Sequence, residues 1–133
     1  MKAAFADTSF FLASLNPNDQ LHKRAISVSR EVTALRLTTG FVLLEVGNAM
    51  SRAGLRSRFV EFYTWLDQHP RVRIVAASEE LLHRGYELYA AREDKDWSLT
   101  DCISFVVMRD EGLQDALTHD QHFEQAGFKA LLR

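Results

Sequence analysis

One segment of this chain is apolar on almost every face, and it limits the folds that the chain can adopt. Residues 102–108 are Cys-Ile-Ser-Phe-Val-Val-Met, and Ser104 is the one polar side chain among them. A helix on the surface of a domain keeps a polar stripe, whereas a helix that is apolar all round is enclosed by other elements. The segment therefore predicts a helix buried in the middle of a domain.

Asp101 stands at the entrance of this predicted helix and has two interpretations. Ser98 lies three residues earlier, and a serine N-cap followed by an acid at the third helical position is typical of a capping box. Alternatively, Asp101 points into a group of carboxylates that holds a cation. The local sequence favours the capping box, and only other acids close to Asp101 in the fold would favour the second interpretation.

The composition describes one domain, residues 1–133, because 47% hydrophobic content is enough for a core but the length leaves no room for a second domain. No apolar run approaches bilayer length, and the first one ends at Asp7, so we expect a soluble, cytoplasmic protein. The one cysteine, Cys102, excludes an internal disulfide and a zinc site built from thiolates. A net charge of -2 means that any phosphate partner must be held by a local patch or through a metal ion.

Predicted strands and helices alternate along the chain. Short β-prone or alternating segments lie at residues 3–6, 37–39, 72–76, 115–120 and 128–132. Helical patterns lie at residues 10–15, 21–36, 41–50, 59–66, from 79 onward, from 99 to near Gly112, and at 121–126. Because hairpin signals are missing between the strands, the pattern predicts an α/β domain with a mainly parallel sheet.

Two aspartates follow predicted strands. Asp7 comes directly after the first strand, and Asp120 ends the fourth. The carboxyl ends of parallel strands meet at one edge of a sheet, where ligands bind in α/β proteins, so we expect both acids at that edge. Each of them could instead be an N-cap of the helix that follows.

Glu45 is the most unusual acid, because it lies within the apolar window 42–46. A buried carboxylate there would need a partner or a cation, since desolvation of its charge is costly. The alternative is an acid on the exposed stripe of an amphipathic helix, beside Asn48 and Arg52. Four acids at one edge would form an oxygen-only site that selects Mg²⁺ or Mn²⁺, and such a site suits phosphoryl chemistry.

The same residues carry a family resemblance that spans essentially the whole chain. The sequence resembles the PIN-domain nucleases, in particular the VapC-type toxins of bacterial toxin–antitoxin pairs. The matching segments are Asp7-Thr8-Ser9, Glu45 with Asn48, Ser98-Leu99-Thr100-Asp101, and Leu117-Thr118-His119-Asp120-Gln121-His122-Phe123.

The resemblance implies a three-layer α/β/α sandwich and cleavage of RNA that depends on Mg²⁺ or Mn²⁺. It also implies a small antitoxin as partner and a homodimer. By resemblance, the metal-binding and catalytic quartet is Asp7, Glu45, Asp101 and Asp120, with polar support from Ser9, Asn48 and Thr118.

Several alternatives remain open at this point. Asp7 could be the nucleophile of an aspartyl-phosphate enzyme, or the chain could be a non-catalytic interaction module whose acids are only caps. His119 and His122 are interpreted as rim or packing residues, and Cys102 as a core residue. A cluster of arginines could steer an RNA backbone or simply lie on a solvated corner; these are Arg52, Arg56 and Arg58.

Overall fold

The computed structural model describes residues 3–133, and its centre is a sheet of five parallel strands. The strands are β1 (Ala4–Ala6), β2 (Arg36–Thr39), β3 (Val72–Val75), β4 (Asp115–Leu117) and β5 (Lys129–Ala130). The helices are α1 (Thr8–Leu15), α2 (His22–Glu31), α3 (Gly40–Ala49), α4 (Arg56–Gln68), α5 (Glu79–Ala91), α6 (Leu99–Asp110) and α7 (Gln121–Gln125). Among residues 3–133, no helix is long and apolar enough to span a bilayer.

The strand order is β3-β2-β1-β4-β5, so β2 and β3 are added on one side of β1, and β4 and β5 are added on the other. Phe5 in β1 pairs with Leu37 on one side and with Ala116 on the other. Right-handed crossovers that run in opposite directions place their helices on opposite faces of the sheet. This arrangement confirms the predicted α/β/α sandwich, and it opens a crevice at the carboxyl ends of β1 and β4.

Helix α6 is the buried helix that the sequence predicts. Every residue from 101 to 108 is buried, and the ring of Phe105 lies edge-on to Phe123, with 4.9 Å between the ring centroids. Helix α5 packs directly against α6 because Gly85 has no side chain. A Cβ atom at Gly85 would lie 2.2 Å from Cγ1 of Ile103, so a larger residue would push the two helices apart.

The predicted helix over residues 21–36 is too long. Helix α2 ends at Glu31, and Arg36 begins β2, where it pairs with Val72 of β3. The guanidinium of Arg36 donates hydrogen bonds to the carbonyl oxygens of Ser29 and Val32, which closes the end of α2. The helical spacing of apolar residues continues past Glu31, but pairing in the sheet overrides it. The last two strands are also shorter than predicted.

Candidate metal centre

Asp7 and Thr118 meet where β1 and β4 end. The backbone N–H of Asp7 donates to the carbonyl oxygen of Leu117 at 3.2 Å, which holds the two strand ends together. The hydroxyl groups of Thr118 and Ser9 donate to Oδ2 of Asp7 at 3.0 and 3.3 Å. The two hydroxyl oxygens are also 3.1 Å apart. The carboxylate of Asp7 is therefore fixed by side chains from both halves of the sheet.

Asp101 is held by the capping box that the sequence predicts. Its Oδ2 atom accepts the backbone N–H of Ser98 at 3.1 Å, and its own backbone N–H donates to Oγ of Ser98 at 3.0 Å. The residue is 7% exposed. Since the cap uses one carboxylate oxygen, Oδ1 is left for another partner, and capping does not conflict with a role in the site.

Asp120 joins the same group through two contacts. Its backbone N–H donates to Oγ1 of Thr118 at 3.0 Å, so the hydroxyl that donates to Asp7 also positions Asp120. Its Oδ1 atom accepts the backbone N–H of His122 at 2.9 Å, which makes Asp120 the N-cap of α7. The capping interpretation of Asp120 is thus confirmed, together with its place at the sheet edge.

His122 lies beside Asp101 and Asp120, although the sequence indicates only a rim or packing residue. Its Nδ1 atom lies 3.0 Å from Oδ2 of Asp101 and 3.4 Å from Oδ1 of Asp120. The side chain is 23% exposed, whereas His119 is an exposed residue. An aspartate that caps a helix holds the backbone two residues later, and this spacing is the sequence signal that brings residue 122 to the mouth of the site.

Burial, with repulsion from nearby carboxylates, raises the pKa values of Asp7 and Asp101. Burial is the main cause that raises the pKa of Asp7 to about 7, and the charge of Asp101 adds to it, while hydrogen bonds from Thr8 and Thr118 act in the opposite direction. Burial also raises the pKa of Asp101, against the hydrogen bond from His122. Two buried acids that repel each other are stabilised by a cation placed between them.

The residues present fit a divalent cation. In Asp101 and Asp120, one carboxylate oxygen makes the contacts described above, and within residues 3–133 the other oxygen accepts no hydrogen bond. No lysine or arginine of this part of the chain forms an ion pair with Asp7, Asp101 or Asp120. Ligand atoms of Asp101, Asp120 and His122 lie within 4.8 Å of one another. Carboxylate oxygens are the ligands that Mg²⁺ and Mn²⁺ prefer.

Glu45 and Asn48 lie on α3, which follows β2 and begins with a hydrogen bond from Val42 to the side chain of Thr39. Both residues are exposed, and Glu45 is not in the group of acids close to His122. The argument from desolvation is therefore wrong for Glu45, because α3 turns Leu44 and Glu45 toward solvent. Its place in the quartet remains a prediction.

The three arginines that could bind RNA are also exposed, at the corner between α3 and α4 and in the first turn of α4. Arg56 donates to the carbonyl oxygen of Ser51 at 3.0 Å, and Arg58 to that of Leu15 at 3.5 Å. Gly54 makes this corner with φ of 88°, a conformation that favours glycine. The part that Arg52, Arg56 and Arg58 take in binding RNA stays a prediction.

Comparison with known proteins agrees with this arrangement. The PIN domain family profile matches residues 4–129. The chain is 31% identical over 125 residues to the 23S rRNA-specific endonuclease VapC20 of Mycobacterium tuberculosis, in strains CDC 1551/Oshkosh and H37Rv, and the match covers 93% of this chain and 94% of the relative.

Solved structures show the same fold. The crystal structure of M. tuberculosis VapC20, described as a sarcin-ricin loop cleaving toxin, superposes with a TM-score of 0.86 at 27% identity and covers 96% of each chain. FitAcB from Neisseria gonorrhoeae has a TM-score of 0.67 at 15% identity over 97% of this chain and 95% of that one, a likeness of fold. The chain therefore belongs to the PIN domain family, and it is a nuclease of the VapC type.

Proposed function

We propose that this nuclease is an endoribonuclease that cleaves ribosomal RNA with Mg²⁺ or Mn²⁺ held by Asp7, Asp101, Asp120 and Glu45. The observation that carries the proposal is the group of Asp101, Asp120 and His122, whose ligand atoms lie within 4.8 Å of one another, with Asp7 joined to it through the hydroxyl of Thr118. The likeness to VapC20 supports the choice of RNA, since that relative is a 23S rRNA-specific endonuclease. Family membership favours this function over an aspartyl-phosphate enzyme and over a non-catalytic module.

A cation held by these residues would supply positive charge against the scissile phosphate and would lower the pKa of a water molecule. The protein's part is to present carboxylate oxygens in fixed positions. Thr118 and Ser9 donate hydrogen bonds to Oδ2 of Asp7 and so fix the orientation of its carboxylate. The capping box does the same for Asp101. These supporting residues are positioning residues, and they need not touch the RNA.

We further propose that the protein is the toxin of a toxin–antitoxin pair, forms a homodimer, and acts in the cytoplasm, where ribosomal RNA is found. Expression of the wild type in a bacterial host is expected to arrest growth, and coexpression of the small gene beside it is expected to restore growth. Harmless expression of a soluble, cleavage-competent protein would contradict the toxin role. Sedimentation of the purified protein measures its oligomeric state.

RNA cleavage tests the endoribonuclease directly. Intact ribosomes and a synthetic hairpin with the sarcin-ricin loop sequence are incubated with the protein and Mg²⁺ or Mn²⁺. We expect one cleaved bond with the wild type and loss of cleavage with Asp101→Asn, in which the amide oxygen can still accept the N–H of Ser98. Asp115→Asn is the matched control, because Asp115 begins β4 at the opposite edge of the sheet. Equal cleavage by a folded Asp101→Asn protein would refute the site.

A further inference from the structure

His122 lies where a ligand of the cation would lie. Its Nδ1 atom is 3.0 Å from Oδ2 of Asp101 and 3.4 Å from Oδ1 of Asp120. Neighbouring ligands of a six-coordinate cation, each bound at about 2.1 Å, are about 3 Å apart. The imidazole nitrogen lies beside both carboxylates, and ligand atoms of His122, Asp101 and Asp120 are within 4.8 Å of one another, close enough to share one ion.

The imidazole is held in this place by its neighbours. The backbone N–H of His122 donates to Oδ1 of Asp120, which fixes the first turn of α7. The next residue, Phe123, is fully buried and packs against Phe105 of α6. The side chain of His122 therefore stands between the starts of α6 and α7, with less than a quarter of its surface exposed.

We infer that His122 supplies Nδ1 to the cation as a ligand and thereby makes the site prefer Mn²⁺ to Mg²⁺. The inference rests on the proposed metal-dependent function and names its cation. Magnesium favours sites in which every ligand is an oxygen. First-row transition metals bind nitrogen ligands more readily, and Mn²⁺ is the weakest binder of that series. A site of carboxylates with one imidazole therefore shifts preference away from Mg²⁺.

A competing role for His122 is to donate a hydrogen bond from Nδ1 to Asp101 and only position it. The substitution His122→Asn separates the two roles. An asparagine side chain can still donate an N–H to a carboxylate, but it offers oxygen rather than an imidazole nitrogen to a metal ion. The matched control is His119→Asn, three residues away on the exposed side of the same turn.

The decisive measurement is pulsed electron paramagnetic resonance of Mn²⁺ bound to the protein without RNA. We expect a coupling between the manganese electron spin and an imidazole ¹⁴N nucleus in the wild type and in His119→Asn, and its loss in His122→Asn. Calorimetric titration should show the Mn²⁺ affinity of His122→Asn reduced by about tenfold or more, and the Mg²⁺ affinity reduced less. In wild-type protein labelled with ¹⁵N-histidine, the coupling of the manganese electron spin should change from that of a ¹⁴N nucleus to that of a ¹⁵N nucleus. This test requires no variant.

The outcomes separate this inference from the proposed function. If Mn²⁺ binds the wild type with no nitrogen coupling, or if His122→Asn keeps both the coupling and the Mn²⁺ preference, His122 is not a ligand, although RNA cleavage can still depend on the carboxylates. If neither cation binds and RNA is not cleaved, the proposed function itself fails. Loss of the coupling in His122→Asn but not in His119→Asn, together with RNA cleavage by the wild type, is the result that supports both.

Discussion

The residues of the proposed quartet are held in two different ways. Asp7 is linked to Asp120 through the hydroxyl of Thr118, and Asp120 to Asp101 through His122. Glu45 lies on an exposed face of α3 beside Leu44, which is 62% exposed, and it takes no part in that network. One region is a connected network of acids and hydroxyl groups, and the other is a solvated helix surface.

The difference in burial affects the stability of the metal-free protein. Asp7 is 4% exposed, and its burial beside Asp101 raises its pKa to about 7, so the charged site opposes folding until a cation arrives. An exposed glutamate imposes no such cost, because water solvates its charge. The two regions should therefore respond differently to substitution. Replacing a buried acid should raise the stability of the metal-free protein and lower its activity, whereas replacing Glu45 should lower activity alone.

The largest expected effect is on RNA cleavage. Asp7→Asn should reduce the cleavage rate by more than about 100-fold, since removal of residues that merely support a metal ligand already costs about 10–100-fold. Glu45→Gln should reduce it by about 10–100-fold, because water can replace an exposed ligand. The measurement is single-turnover cleavage of the hairpin at saturating Mn²⁺. A greater loss in Glu45→Gln than in Asp7→Asn would reverse the ranking drawn from burial.

The next effect is on the stability of the protein without metal. Between about pH 4 and pH 7, folded Asp7 keeps a proton that the unfolded chain releases, so the free energy of unfolding falls as the pH rises through this window. Asp7→Asn should therefore stabilise the metal-free protein by a few kcal/mol above about pH 7 and by progressively less toward about pH 4.

Urea denaturation at several pH values measures this gain. A difference between wild type and Asp7→Asn that did not change with pH would contradict the buried, protonated Asp7. Adding Mn²⁺ above pH 7 provides a control, because the cation should stabilise the wild type and have much less effect on the variant.

A smaller effect is expected from the hydroxyl that joins the two acids. Thr118→Val removes the donor to Asp7 and the acceptor for Asp120, and should cost about 1–3 kcal/mol of stability together with roughly tenfold in cleavage. Thr38→Val is the control, since that equally buried hydroxyl donates to the carbonyl of Ala6 on the neighbouring strand. It should lose stability but retain cleavage per folded molecule. Equal activity losses in both variants would mean that Thr118 acts only on stability.

The smallest effect should come from Glu45 in the absence of metal. Glu45→Gln is expected to change the free energy of unfolding by less than about 0.5 kcal/mol, as for other exposed positions. The measurement is urea denaturation in a chelator. A loss of several kcal/mol would mean that Glu45 is held by contacts like those of Asp7, and the contrast between the two regions would disappear.

Most elements of the fold could be predicted from the sequence because their signals are local. The apolar run after Asp101 predicts the buried α6, and Ser98 three residues earlier predicts its capping box. The end of α2 could not be predicted in this way. Helical spacing continues to Arg36, but pairing of that residue with Val72 of β3 pulls it into the sheet, and the partner strand is far away along the chain.

The sequence by itself determined the chemical types at the site, because three acids after strand ends and at a helix start predict an oxygen-rich edge in a parallel sheet. Tertiary structure decided which of them meet. The hydrogen bond from Thr118 to Asp7 spans 111 residues, and the contact of His122 with Asp101 spans 21. Such contacts depend on strand order and helix packing, so local patterns cannot predict that His122 turns inward while Glu45 faces water.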